Sequence, residues 1–295
     1  MVLLYPSVRC LGLWPHLIRM QPKGCRFGRN QWLEYRRKVC DASSARSVNN
    51  AVRETLDRKQ LTQVSEYIDS LLDWNQRMDL TAVTERDAVM ERHIMDSLAL
   101  LPVLEAAYGE NSSTTTTTTE QLNIIDVGTG AGLPGIVFAI ARPAWQITLL
   151  ESLQKRCNFL DYAVKKSGLS NVEVVRARAE DGGQDKMHRE KYDVAVARAV
   201  AEMRVLSELC LPFVRVGGIF VAAKGPNPLE EVELSKKAVH LLGASILSIS
   251  NVDSTGPLES APMIFRELLI GGDHGSTSRL LLGPPGTLFS LGPSR

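Results

Sequence analysis

Asp126, Gly128, Gly130 and Gly132 alternate within the stretch Leu122 to Gly135, L-N-I-I-D-V-G-T-G-A-G-L-P-G. Glycines at that spacing let a backbone turn tightly against a ligand, in space that a Cβ would otherwise fill. Apolar residues before the acid complete the outline of a buried strand ending on a nucleotide-type cofactor. The same stretch contains Gly130-Ala131-Gly132-Leu133-Pro134-Gly135, which satisfies the dinucleotide fingerprint G-x-G-x-x-G. Glu151 ends the next apolar run, about twenty residues further on, where an acid accepts hydrogen bonds from a ribose diol. Redox and methyl-donor cofactors both carry that diol, so Glu151 does not choose between them.

The acid followed by three alternate glycines, D-x-G-x-G-x-G from Asp126 to Gly132, tilts the choice toward S-adenosylmethionine. That nucleoside brings an amino-acid ammonium, whereas a dinucleotide brings a pyrophosphate that favours a helix N-terminus without an adjacent carboxylate. A nicotinamide-dependent oxidoreductase is the alternative, and no hydride-transfer constellation accompanies the turn. The five cysteines, Cys10, Cys25, Cys40, Cys157 and Cys210, form no C-x-x-C pair and have no histidine at ligand spacing, so no metal is expected. Cys157 and Cys210 read as small buried apolar residues.

The elements that must position these residues alternate strand and helix. Strands are expected at Asn123 to Asp126, Gln146 to Glu151, Val172 to Arg178, Tyr192 to Ala197, Ile219 to Lys224 and Ser245 to Ile249, with helices between them. This pattern predicts an α/β fold, a Rossmann-like, mostly parallel, doubly wound sheet over residues 121–250. Ligands of such sheets sit beyond the carboxyl ends of the strands, which selects Gly128, Glu151, Ala179, Glu180, Arg198 and Lys224. Ahead of the sheet, residues 51–110 predict a small helical layer. Leu61, Val64, Ile68, Leu71 and Leu72 recur at helical spacing, and a second helix starts at a capping-box-like Thr84-Glu85-Arg86-Asp87 and runs to Pro102. Residues 111–120 hold the run Thr114 to Thr119, a polar loop without chemistry, and residues 251–295 form an atypical, partly disordered terminus.

Residues 1 to 40 carry eight basic side chains against the single acid Glu34, an organelle-import composition, so residues 1–50 are expected to be a disordered transit segment. A basic tail that touches RNA directly, in a cytoplasmic protein, is the alternative. Without residues 1 to 40 the chain has 26 basic and 32 acidic residues, so RNA binding must use a local patch. No apolar run is long enough to span a bilayer, and no membrane association is expected.

With these positions in hand, the chain closely resembles the bacterial small-subunit ribosomal RNA guanine-N7 methyltransferase family, also called the glucose-inhibited division protein B family, over roughly residues 60 to 250. The resemblance is carried by Trp74-Asn75 with Asp79-Leu80-Thr81-Ala82, Arg92-His93-Ile94-Met95-Asp96-Ser97-Leu98, the Asp126 to Gly135 turn, Leu149-Leu150-Glu151-Ser152 with Lys155-Arg156, Arg178-Ala179-Glu180, Ala197-Arg198-Ala199 and Lys224-Gly225. It implies a class I S-adenosylmethionine-dependent methyltransferase acting on N7 of a guanine in small-subunit rRNA or a pre-ribosomal particle. Gly128 and Leu133 would line the cofactor pocket, Ala179 and Glu180 border its adenine, and Arg198 complete it. A monomer in an organelle, chloroplast rather than mitochondrion, is the matching expectation. Relatives finish with an antiparallel strand and a basic tail, whereas Ala261 to Arg295 reads Phe265-Arg266-Glu267-Leu268-Leu269 and then a glycine-, proline- and serine-rich run, which leaves the last strand unassigned.

Guanine N7 carries an in-plane lone pair and no proton, so no catalytic base is assigned and positioning is expected to dominate. Lys155, Arg156 and Lys224 are the expected RNA contacts. His93 and Asp96, three apart on one helix, are spaced for a structural hydrogen-bonded pair. Trp74, Trp145, Phe159, Phe213 and Phe220 read as packing residues. A non-catalytic RNA-binding assembly factor is the remaining alternative from another functional class.

Overall fold

The computed structural model describes residues 56–111, 119–198, 201–223 and 229–252, together with strands at 263–269, 280–282 and 288–290. The expected transit segment, most of the threonine run and Lys224 lie outside the described residues.

Helix α1 (Arg58–Asn75) starts where Asp57 can accept from the Gln60 amide at 2.8 Å while the Gln60 side chain accepts from the Asp57 amide at 2.8 Å. This reciprocal capping box satisfies two donors that a helix start otherwise leaves open. Gln60 Nε2 also donates to the Ile140 carbonyl at 2.9 Å, which fixes the base of α1 to the end of a sheet-covering helix. Val64, Ile68 and Leu71 form the buried face.

The second helical run departs from its sequence reading at both ends. Its N-cap is Glu85, which makes no side-chain bond, so the Thr84 capping box does not form. Arg86–Val89 (α2) then widens into a π-helix over Met90–Met95 and narrows again at Asp96–Leu98 (α3). The chain does not stop at Pro102 but continues as Leu100–Asn111 (α4), because the proline falls in the first turn, where a missing N–H costs little.

Strands β1 (Asn123–Val127), β2 (Gln146–Glu151), β3 (Val172–Arg176), β4 (Tyr192–Arg198) and β5 (Val214–Ala223) pair in parallel, in the order β3-β2-β1-β4-β5. Helices α5 (Gly135–Ala141), α6 (Gln154–Lys166), α7 (Ala179–Gly182), α8 (Met203–Cys210) and α9 (Leu229–Leu241) alternate with them. Successive residues of β1 feed opposite faces. Ile124 joins the core shared with the helical layer and α5, and Ile125 joins the core shared with α8. Apolar runs buried on both faces are what a parallel sheet requires. Strand order reverses between β1 and β4, and the crevice at that reversal is where such folds bind ligands.

Within residues 251–295 the described strands supply what the sequence left unassigned. After β6 (Ser245–Val252), Met263–Leu269 forms β7, which inserts antiparallel between β5 and β6 and completes a seven-stranded sheet. The segment Phe265 to Leu269 is therefore the missing last strand. Leu280–Leu282 and Leu288–Ser290 pair separately as β8 and β9.

Candidate functional site

At the carboxyl end of β1, Gly128 adopts φ +70°, a left-handed conformation that L side chains rarely adopt. Its amide and that of Thr129 donate to the Leu150 carbonyl at 2.9 and 3.1 Å, which folds the turn back over β2. Gly132 combines φ +90° with a close approach, since a Cβ there would run into the Ile136 side chain. Gly128 faces open space where a Cβ would project, so close packing governs Gly132 and conformation alone governs Gly128.

Asp126 and Glu151 hold this turn from below and from the side. Asp126 is wholly buried, and its Oδ2 accepts from Thr129 Oγ1 at 2.6 Å and from the Gly135 amide at 2.8 Å. Its Oδ1 has no hydrogen-bond partner among the described residues. Burial pushes the carboxyl pKa up to about 6, against the opposing pull of those two donors and the Arg198 charge. Glu151 Oε1 accepts from the amides of Ser152 and Leu153, each at 2.9 Å, and Oε2 accepts from the Gly130 amide at 3.1 Å. Arg156 lies 3.6 Å from the same Oε2.

A cleft of about 210 Å³ opens beside the turn, lined by Val127, Gly128, Leu150, Glu151, Ser152, Ala177, Arg178, Ala179, Glu180, Arg198, Ala201, Leu206 and Leu209. It thus draws on the carboxyl ends of β1, β2, β3 and β4. Of the residues expected to hold a cofactor, Gly128, Glu151, Ala179, Glu180 and Arg198 meet in this lining. Asp126, Gly130, Gly132 and Leu133 stand behind it and shape the turn. Among the expected RNA contacts, Lys155 is exposed and has no ion-pair partner among the described residues, whereas Arg156 is engaged with Glu151. Lys224 lies outside the described residues.

The helical layer reaches the same corner, which the sequence pattern did not reveal. Tyr67, fully buried on α1, donates its hydroxyl to the Ala131 carbonyl at 2.7 Å. Burial pushes that phenol well above its ordinary range, and the Arg198 charge opposes the shift. Arg198 Nη1 lies 3.5 Å from Ser97 Oγ, and Arg198 has no ion-pair partner among the described residues. His93, on the π-helical turn, pairs through Nε2 with Thr81 Oγ1 at 2.7 Å, not with Asp96 as its spacing suggested. Its Nδ1 is buried and has no hydrogen-bond partner among the described residues. Burial and then the Arg198 charge pull the imidazole pKa down to about 4, with the Arg92 carbonyl opposing, so the ring is neutral near pH 7. Tyr67 carried no motif signal, and Ser97 and Arg178, though part of the motifs that carry the resemblance, had no role assigned to them.

The cleft suits a nucleoside joined to an amino acid. Val127, Leu150, Ala177, Ala179, Leu206 and Leu209 give apolar walls for a purine, Glu151 offers carboxylate oxygens for hydroxyls, and Arg198 offers a guanidinium with no ion-pair partner among the described residues for a carboxylate. The open space at Gly128 lets the ligand approach the backbone. Among the described residues no cluster of His, Cys, Asp or Glu has the arrangement to hold a metal ion, and no helix is long and apolar enough to cross a membrane.

Comparison with known proteins places this geometry in context. Residues 60–257 match the family model described as GidB, rRNA small subunit methyltransferase G. A protein of Desulforamulus reducens named ribosomal RNA small subunit methyltransferase G is 44% identical over 194 residues, covering 66% of this chain and 76% of its own. Its namesake in Acetivibrio thermocellus is 42% identical over 217 residues, covering 74% and 81%. That of Clostridium perfringens strain 13 is 40% identical over 226 residues, covering 77% and 86%.

Proposed function

Because the chain belongs to the GidB family of small-subunit rRNA methyltransferases, we propose that its cleft directs the methyl group of S-adenosylmethionine to N7 of one guanine in small-subunit ribosomal RNA. The enzyme is an S-adenosylmethionine-dependent 16S-type rRNA methyltransferase. The observation that carries the site assignment is the convergence of Gly128, Glu151, Ala179, Glu180 and Arg198 on one cleft at the strand-order reversal.

When bound, the cofactor supplies an electrophilic methyl group on a sulfonium. Arg198 holds the methionine carboxylate through charge-assisted hydrogen bonds. Glu151 accepts from the ribose hydroxyls with the capacity its three backbone donors leave, and it steadies the glycine turn through Gly130 at the same time. Ala179 and Glu180, at the start of α7, border the purine. Guanine N7 has a free lone pair and no proton, so no side chain has to remove one. The protein's work is orientation and exclusion of water, which is where the largest gains from proximity lie. Lys155, Arg156 and Lys224 serve the RNA backbone in this reading.

The test is incubation of purified protein with unmethylated small ribosomal subunits and labelled S-adenosylmethionine, followed by nucleoside analysis. Labelled 7-methylguanosine at a single position is expected. Label at another atom rejects the N7 assignment, and uptake of NAD(H) or of RNA alone in a calorimeter would favour the oxidoreductase or assembly-factor alternative. The basic composition of residues 1 to 40 supports import into an organelle, and the bacterial-type body, suited to organellar ribosomes, favours a plastid over a mitochondrion in this reading. A fluorescent fusion checks this, and cytoplasmic signal rejects it.

A further inference from the structure

We propose that Trp74 and Tyr162 form an external stacking platform for an unpaired base of the ribosomal RNA beside the target guanine. The inference rests on the rRNA reading above and assigns a surface to it. Trp145, Phe159, Phe213 and Phe220 are all fully buried, whereas Trp74 is only half-buried and Tyr162 is 42% exposed. The Trp74 ring packs 5.8 Å from Phe159 and 5.5 Å from Tyr162, centroid to centroid, so a buried ring anchors the pair from beneath. The Tyr162 hydroxyl makes no hydrogen bond within the described residues.

Charge and position favour a nucleotide as the occupant. The Arg77 guanidinium carbon lies 6.0 Å from the Trp74 ring centroid, and Asp73, which neutralises part of its charge, sits 2.7 Å away. Lys155 is exposed on the same helix as Tyr162 and has no ion-pair partner among the described residues. Of the neighbouring acids, Glu66 is paired with Lys166 at 3.4 Å and Asp161 faces solvent. Aromatic faces flanked by cations bind single-stranded nucleic acid because every base has a π-face and every linkage a negative charge.

Two structural routes connect the platform to the cleft. The chain leaves the cleft at Ser152, and helix α6 rises about 12 Å from Gln154 to Tyr162. From the other side, Asn75 Oδ1 accepts from the amides of Leu80 and Thr81 at 2.9 and 3.0 Å. That locks the turn after Trp74 to the residue that bonds His93, beside Arg198. The platform and the cleft are thus tied through both α6 and the turn after Trp74.

Steady-state methylation of small subunits by wild type, Tyr162→Ala and Tyr162→Phe tests this. Tyr162→Ala is expected to raise KM for subunits roughly tenfold, with kcat and cofactor affinity within about twofold, and Tyr162→Phe to stay near wild type because the ring remains. Ultraviolet crosslinking of the wild-type protein to subunits gives a reading independent of the variants, with RNA attached to the peptide containing Trp74 or Tyr162. Wild type that methylates subunits while Tyr162→Ala keeps its KM, or crosslinks that miss both peptides, overturns the platform alone. Wild type that leaves subunits unmethylated overturns the rRNA reading as well.

Discussion

Asp126 illustrates how one residue shapes the site without lining it, since one carboxylate oxygen accepts twice and the other not at all. Its pKa is raised from 3.8 to about 6, chiefly by burial. Between those values the native carboxyl retains a proton that the unfolded chain has released, so stability falls as pH rises through the window and levels off above it. Integrated, the effect is on the order of 3 kcal/mol. Asp126→Asn keeps an acceptor for Thr129 and Gly135 and removes the titration, so urea unfolding between pH 4 and pH 7 should show a shallower decline than wild type; parallel declines would refute the assignment. Arg198 presents the complementary case of a charge that does line the cleft and lacks an ion-pair partner among the described residues. Arg198→Ala should retain the fold by thermal melting and weaken cofactor binding by about 1.5–3 kcal/mol, roughly ten- to a hundredfold in calorimetry, with single-turnover methyl transfer falling alongside. Unchanged single-turnover activity would remove Arg198 from the site. Arg198 and Glu151 were legible in the sequence because a parallel sheet fixes where strand ends converge. The contacts of Ser97 and Tyr67 were not, because nothing in a helical period says which neighbour a polar tip will find.

At the scale of elements, the strands divide function from stability along their length. Opposite the cleft, at the amino ends, Asp193 accepts from Tyr108 at 2.8 Å, from Arg215 Nε at 2.6 Å and from the Asn123 amide at 2.7 Å. One carboxylate thereby ties α4, β1, β4 and β5. Asp193→Ala leaves the buried Tyr108 hydroxyl and the Asn123 amide without this acceptor, a loss of about 2–4 kcal/mol in unfolding free energy. Cofactor affinity, measured where the variant is still folded, should be unchanged because the cleft lies at the other end of β4; a parallel drop in affinity would contradict that separation. Strands β1, β2 and β4 agree with their sequence reading to within a residue because each is buried on both faces and bounded by turn residues. Helix boundaries were harder to read. The π-helical Met90–Met95 has no distinct period, and Pro102, taken as a stop, is tolerated in a first turn. Strand β7 went unassigned although it follows β6, because its pairing to β5, distant in the chain, leaves no local signal.

For the molecule as a whole, the cleft's corner belongs to two layers that share a hydrophobic core and are tied beside the cleft by a few polar contacts. Tyr67 on α1 bonds the glycine turn at Ala131, Ser97 on α3 lies against Arg198, and Gln60 reaches the end of α5. A ligand that binds only the folded state stabilises it by mass action, about 2.7 kcal/mol at a hundred times its dissociation constant. How that stabilisation spreads depends on these ties. If the helical layer merely covers the sheet, slowed hydrogen exchange on adding S-adenosylmethionine will stop at the glycine turn, the start of α6 and the end of β4. The contacts at Ala131 and Arg198 instead require opening of α1 and of the Met90 to Leu98 turn to disturb the occupied cleft, so protection should extend to both segments. Exchange measured with and without cofactor separates the outcomes, and Tyr67→Phe, which deletes the Ala131 bond and little else, should shrink the added protection in α1 while leaving that at β4. Protection confined to the sheet in wild type would mean that the helical layer does not sense the cofactor.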